Sequence, residues 1–171
     1  MTQVVIVGDS RVGKTGFAHI ACSHDLPLNL FRSTEVETFY LHGVDTTATL
    51  SVVPGNALDD VLSCVCNGSD AIIALYDSRK SVYTVKRWLN RIERMIDGVH
   101  RVPIMICSHS IHTSPCVHDR RLSDVLQQYP CAEHTCTATG RSVGIVDCVN
   151  RIVTKVRSRH PSPLERRHTD D

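Results

Sequence analysis

Apolar and polar positions fall in blocks along the chain, short saturated apolar runs giving way to longer stretches with a helical period. "QVVIVG", Gln3 to Gly8, is short, β-branched and closed by glycine, which predicts a strand buried on both faces. "KTGFAHIACSH" then carries the chain away as a helix. "TFYLHGV" and "TATLSVVPG" are two strand-like runs joined by the turn-prone "HGVDT", and they predict a hairpin. "DAIIALYD", Asp70 to Asp77, is another apolar strand. In "SVYTVKRWLNRIERMI" the residues Val82, Val85, Trp88, Leu89, Ile92 and Ile96 recur at helical spacing. "VPIMICS" reads as a strand, "RRLSDVLQQY" as a helix, and "AEHTCTAT" as a short strand and loop. "SVGIVDCVNRIVTKVR" is the last helix, with Val143, Val146, Val149, Ile152, Val153 and Val156 expected on one side. From Ser158 the chain turns polar and carries two prolines, so residues 158–171 are expected to form a tail without fixed structure.

Strands alternating with helices predict an α/β fold, a mostly parallel sheet with helices on both faces. The early hairpin adds one antiparallel edge strand. Right-handed crossovers gather the strand ends, and with them any site, along one edge. A length of 171 residues is one domain's worth of chain.

Net charge and cysteine use narrow the class. A formal charge of +1 argues against nucleic acid as the partner. The N-terminus lacks a basic segment ahead of its apolar run, and no run is long enough to span a bilayer. Of the eight cysteines, Cys107 and Cys148 lie in apolar segments, where a free thiol behaves as a small hydrophobe. The expectation is a cytoplasmic protein with reduced thiols. "RRHTDD" holds no cysteine for lipidation, so any attachment to membrane or cytoskeleton would run through a partner.

The sharpest chemical signal follows the first strand. Gly8, Gly13, Lys14 and Thr15 satisfy G-x-x-x-x-G-K-[ST] between a strand and a helix. Glycines let backbone approach phosphate oxygens, and consecutive N–H groups at a helix start attract the anion. Lys14 would reach the terminal phosphates, and the Thr15 hydroxyl would ligate Mg2+. The candidate nucleotide-binding residues here are Gly8, Asp9, Ser10, Arg11, Val12, Gly13, Lys14, Thr15 and Gly16.

"VVIVGDSRVGKT" resembles the opening of a Ras-superfamily small GTPase, and "GDS.VGKT" is Rab-like. "DAIIALYDSRKSVYTVKRWLNRI" is similar to the Rab fourth strand and following helix, and "VPIMICS" to the next strand. Segment order agrees over about residues 3 to 157. The resemblance implies a phosphate-loop NTPase fold, a Ras-like G domain over 1–157, with bound GTP or GDP and Mg2+. It also implies a protein partner at the switch and interswitch region, around Thr34 to Tyr40.

Departures from the family pattern cluster in the later loops. Where the family has Asp-x-x-Gly, its Asp holding the Mg2+ shell through water, this chain reads "VVPG": Val52 stands at the Asp position and Gly55 is kept. Asn56 occupies the place of the water-orienting glutamine, one methylene shorter. For Asn-Lys-x-Asp, the chain has "HSIH", His109 to His112, and imidazole cannot accept the paired guanine N–H groups. For Thr-Ser-Ala-Lys it has "TATG", leaving Thr137 and Ala138 as backbone donors to a base. Thr34 matches the spacing of the Mg2+-contacting threonine, with Ser33 as the rival one residue away.

Other constellations carry less. "CSHSIHTSPCVH", Cys107 to His118, has the composition of a zinc loop but no standard ligand spacing. Cys64-x-Cys66 is not the C-x-x-C of a redox motif and is expected on the helix of the second switch. Asp124, Glu133 and Glu93 have no partner suggesting acid–base work, and the basic stripe of "KRWLNRIERM" reads as a solvated face.

The reading that emerges is an atypical Rab-like small GTPase. It binds nucleotide through the loop, hydrolyses it weakly or not at all, and acts as a scaffold or regulatory subunit in a larger assembly. The alternatives are an active GTPase completed by a partner, as arginine fingers do, or an ATP-binding phosphate-loop protein.

Overall fold

The computed structural model describes residues 1–23, 34–42, 47–96, 98–99, 102–111, 121–140 and 142–159. In chain order the elements are β1 (Thr2–Gly8), α1 (Lys14–Ser23), β2 (Glu37–His42), β3 (Thr47–Val52), α2 (Asp59–Cys66), β4 (Ala71–Asp77), α3 (Tyr83–Met95), β5 (Ile104–Ser110), α4 (Leu122–Gln128), β6 (Ala132–Ala138) and α5 (Ile145–Arg159). The six strands form one sheet in the order β2-β3-β1-β4-β5-β6. All neighbours run parallel except β2 against β3, the antiparallel edge that the hairpin pattern predicts.

β1 is apolar from Val4 to Val7 because both of its faces are covered there. Val4 and Ile6 point into a core with Phe17 and Ile20 of α1 and Val149, Ile152 and Val153 of α5. Val5 and Val7 point the other way, into a core with Leu62 of α2, Trp88, Leu89 and Ile92 of α3 and Val125 of α4. Helices therefore lie on both faces. All six apolar positions of the α3 pattern, Val82 through Ile96, are buried.

The α5 stripe differs from its predicted form. Ile145, Cys148, Val149, Ile152, Val153 and Val156 are buried, whereas Val143 is exposed. Gly144, at φ 70°, delays the helix start from Ser142 to Ile145, and Val143 instead pairs with Ala138 in an antiparallel bridge. α5 also runs two residues past the expected end at 157, its last turn tied by the Ser158 hydroxyl donating to the Lys155 carbonyl at 2.9 Å. Residues 160–171 of the expected tail lie outside the described residues, as does most of the hairpin turn. Among the described residues no helix is long and apolar enough to cross a membrane.

Chain order positions the site. From β1 the chain reaches β3 on one side, then crosses to β4 on the other, so the connections reverse at β1. In open α/β sheets a ligand crevice opens at the carboxyl ends of the strands at such a reversal. The loop after Gly8 occupies that place.

Candidate functional site

Residues 9–13 leave β1 and deliver the chain to α1, which opens at Lys14. The first N–H groups of a helix have no partner within it, so this end of α1 is suited to an anion. Gly13 is in the left-handed region at φ 96°, and a Cβ there would meet the His109 ring at 2.9 Å. Gly55 is required for a different reason. The turn that follows β3, closed by Ala57 N–H to the Pro54 carbonyl at 3.1 Å, brings Gly55 so close to Ser10 that a Cβ would overlap its backbone nitrogen.

Lys14 folds back over the loop, its Nζ donating to the carbonyls of Gly8 at 2.8 Å and Asp9 at 2.9 Å. It is 7% exposed. Burial lowers its pKa to about 8, and the Asp9 carboxylate only partly opposes this. Asp9 itself turns away from the loop: its Oδ1 accepts from Trp88 Nε1 at 2.9 Å and Arg87 at 2.8 Å, both on α3. Arg91, on the same helix, donates to the Ala57 carbonyl at 2.9 Å and lies over the Trp88 ring. One helix thus anchors both the loop after β1 and the turn after β3.

These segments enclose a cavity of about 320 Å³, at the lower end of the range of small-molecule sites. Its lining brings together Ser10, Arg11, Gly13, Lys14, Thr15 and Gly16 with Thr34, Val52, Gly55 and Asn56. Gly8, Asp9 and Val12 support the loop from behind and do not line it. Ser33, the rival of Thr34, lies outside the described residues.

Thr137 and Ala138 are not part of this cavity. The backbone donor expected of Ala138 is already engaged. Ala138 N–H donates to the Val143 carbonyl at 3.0 Å, and the next N–H, of Thr139, to the Ser110 carbonyl at 3.0 Å. The Thr137 hydroxyl is bonded to His109. His109 lies buried beneath the glycine loop, Nδ1 at 2.8 Å from Thr137 Oγ1 and Nε2 at 2.8 Å from Thr139 Oγ1, its ring edge-on to Phe17. Burial lowers its pKa to about 4, so the ring is neutral, one nitrogen donating and the other accepting. His109 is a buckle between β5 and β6 rather than a reader of bases. His112, at the expected carboxylate position, lies outside the described residues.

Sequence reasoning missed Glu37, which lines the cavity and accepts from the Thr15 hydroxyl at 2.9 Å. No linear motif marks it. Its position follows from the β2–β3 register, which sets Glu37 directly opposite Val52.

The cysteine constellations come apart. Cys107 packs against Cys148, sulfur to sulfur at 3.3 Å, and burial raises the Cys107 thiol pKa. Cys66 is buried, its thiol pushed up to about 12, while Cys64 on the same helix is exposed. Cys116 and His118 of the zinc-like loop lie outside the described residues. Among the described residues no three His, Cys, Asp or Glu side chains converge as a metal site.

No family model matches this chain. The chain is similar to the Ras and EF-hand domain-containing protein homolog of Mus musculus, 28% identical over 112 residues, a stretch covering 61% of this chain and 17% of that protein. The similarity is that of a distant relative of a protein named for a Ras domain, and the mostly parallel sheet of six strands with five helices among the described residues is compatible with a Ras-like fold.

Proposed function

We propose that the chain is an atypical, Rab-like member of the small-GTPase class whose residues 1–157 form a G domain. The loop from Gly8 to Gly16 is its phosphate-binding loop, and a guanine nucleotide with Mg2+ is its ligand. The observation that carries this reading is the Lys14 ammonium. It is buried at the edge of a cavity, donates to the uncharged carbonyls of Gly8 and Asp9, and has its pKa lowered to about 8 by that burial. A phosphate would offset the desolvation that the ammonium now bears. Thr15 and Thr34 would hold the metal, which supplies charge neutralisation to the phosphates.

Hydrolysis is weak or absent in this reading. The Val52 side chain offers no oxygen, and Asn56, although it lines the cavity, is shorter than the glutamine it replaces. Partner binding is the output. β2 is the edge of the sheet, with Tyr40 59% exposed, and an edge strand offers both backbone groups and side chains to a second protein. The multi-subunit assembly and cytoplasmic location belong to the same reading.

A second reading, adenine nucleotide in the same loop, draws on the state of His109 and Ala138, whose polar groups are engaged within the protein. Denaturing extraction and chromatography of nucleotide from the purified protein, beside a Lys14→Ala variant, tests both. GTP or GDP in the wild type and its loss from the variant support the first reading. ATP or ADP supports the second. A folded wild type that carries no nucleotide, and takes up neither GTP nor ATP when they are added, overturns the nucleotide-binding reading.

A further inference from the structure

Val52 leaves the proposed metal site without the carboxylate that β3 would supply, yet a carboxylate is present. Residues directly opposite in an antiparallel pair place their side chains on the same face of the sheet. Glu37 and Val52 are such a pair, so Glu37 emerges on the face that Val52 serves. Its Oε2 accepts from Thr15 Oγ1 at 2.9 Å, and both residues line the cavity beside Lys14. We infer that Glu37 is a relocated metal-site carboxylate, contributed by β2 in place of β3. This inference rests on the reading of the cavity as a nucleotide and Mg2+ site.

The chemistry of the contact supports the assignment. A hydroxyl that ligates a cation must direct a lone pair at it, so its proton needs an acceptor on the other side. Glu37 Oε2 provides that acceptor and so fixes the orientation of the Thr15 oxygen. Groups that orient a ligand in this way commonly change metal affinity by 10–100-fold. The carboxylate also adds a hard anionic oxygen, suited to Mg2+ and to the water it retains.

The neighbouring carboxylates do not serve. Asp9 is turned toward Arg87 and Trp88, and Asp77 is bonded to Arg79 at the end of β4. Glu35 lines the same cavity but lacks the cross-strand relation to Val52. That makes it a control for charge alone.

The test is the rate at which a fluorescent GDP analogue leaves the full chain, titrated with Mg2+. In the wild type Mg2+ slows release. In Glu37→Gln, nearly isosteric and half-exposed, the Mg2+ concentration giving half the effect rises at least tenfold, while release without metal is little changed. Glu35→Gln, which removes the same charge from the cavity lining, raises that concentration less than Glu37→Gln does. Restoring a carboxylate on the opposite strand, in Glu37→Gln combined with Val52→Asp, recovers part of the lost Mg2+ response. A Glu37→Gln protein with the wild-type Mg2+ response, or an equal loss in Glu35→Gln, overturns the inference and leaves nucleotide binding standing. A wild type that binds the analogue with no response to Mg2+ does the same. Failure of the wild type to bind the analogue at all overturns the guanine-nucleotide reading and this inference together.

Discussion

The Trp88 indole donates its N–H to the Asp9 carboxylate at 2.9 Å, joining the middle of α3 to the first residue of the glycine loop across 79 positions of chain. The Trp88 side of this bond is buried, the residue being 3% exposed, while the carboxylate is partly open to solvent. Arg87 shares the same carboxylate oxygen from the solvent side.

Trp88→Phe keeps a buried aromatic ring beneath Arg91 and removes the indole donor. A hydrogen bond to a charged group contributes about 1.5–3 kcal/mol, and Arg87 compensates part of it. The expected cost is about 1–2 kcal/mol in urea unfolding, with weaker nucleotide retention. Trp88 is also the single tryptophan of the chain, so its fluorescence should shift when nucleotide is added to the wild type. An unchanged unfolding midpoint in the variant would show that the bond contributes nothing.

His109 makes stability depend on mild acid. Its pKa falls to about 4 in the folded protein from 6.5, so folding favours the neutral ring. The stability it lends is complete above pH 6.5 and is lost as the unfolded state takes up its proton between about pH 6.5 and 4. Linkage puts the loss at about 2 kcal/mol between pH 7 and pH 5. His109→Asn is less stable at pH 7, because two threonine hydroxyls lose a partner, but its stability falls less steeply over that interval. Urea midpoints of both proteins at pH 7 and pH 5 measure the difference. Equal slopes would exclude His109 as the source.

Lys14 acts in the opposite pH range. A lysine with a folded pKa of about 8, against 10.5 ordinarily, destabilises the fold while both states are charged. The penalty is full below pH 8 and fades as the pH rises from 8 to 10.5, on the order of 3 kcal/mol at most. In nucleotide-free protein, Lys14→Met is therefore expected to be more stable than wild type by on the order of 1–3 kcal/mol at pH 7 and by less at pH 10. Thermal melts at the two pH values decide it. A variant less stable than wild type at pH 7 would mean that the two carbonyl bonds outweigh the burial of the charge.

What the sequence determined by itself was local. The run before Gly8 predicts a two-sided strand because apolar saturation reports burial directly. Helical spacing from Val82 to Ile96 names the buried face of α3, and glycine, lysine and threonine at fixed offsets define the loop, since its geometry is closed within a few residues. The end of a periodic pattern was less legible: Val143 fits the α5 stripe, but the left-handed Gly144 and the bridge to Ala138 place it outside the helix.

Only the tertiary structure decided which residues meet. Nothing in "HSIH" announces that His109 is held by Thr137 and Thr139, 28 and 30 residues away. Nor does the chain advertise that Glu37 stands opposite Val52 and reaches Thr15. The physical reason is strand register. A shift of one residue between β2 and β3 would turn Glu37 to the other face, and that register is set by burying Leu41, Ala48 and Leu50 against α1 and α5, not by anything in the residues around Glu37.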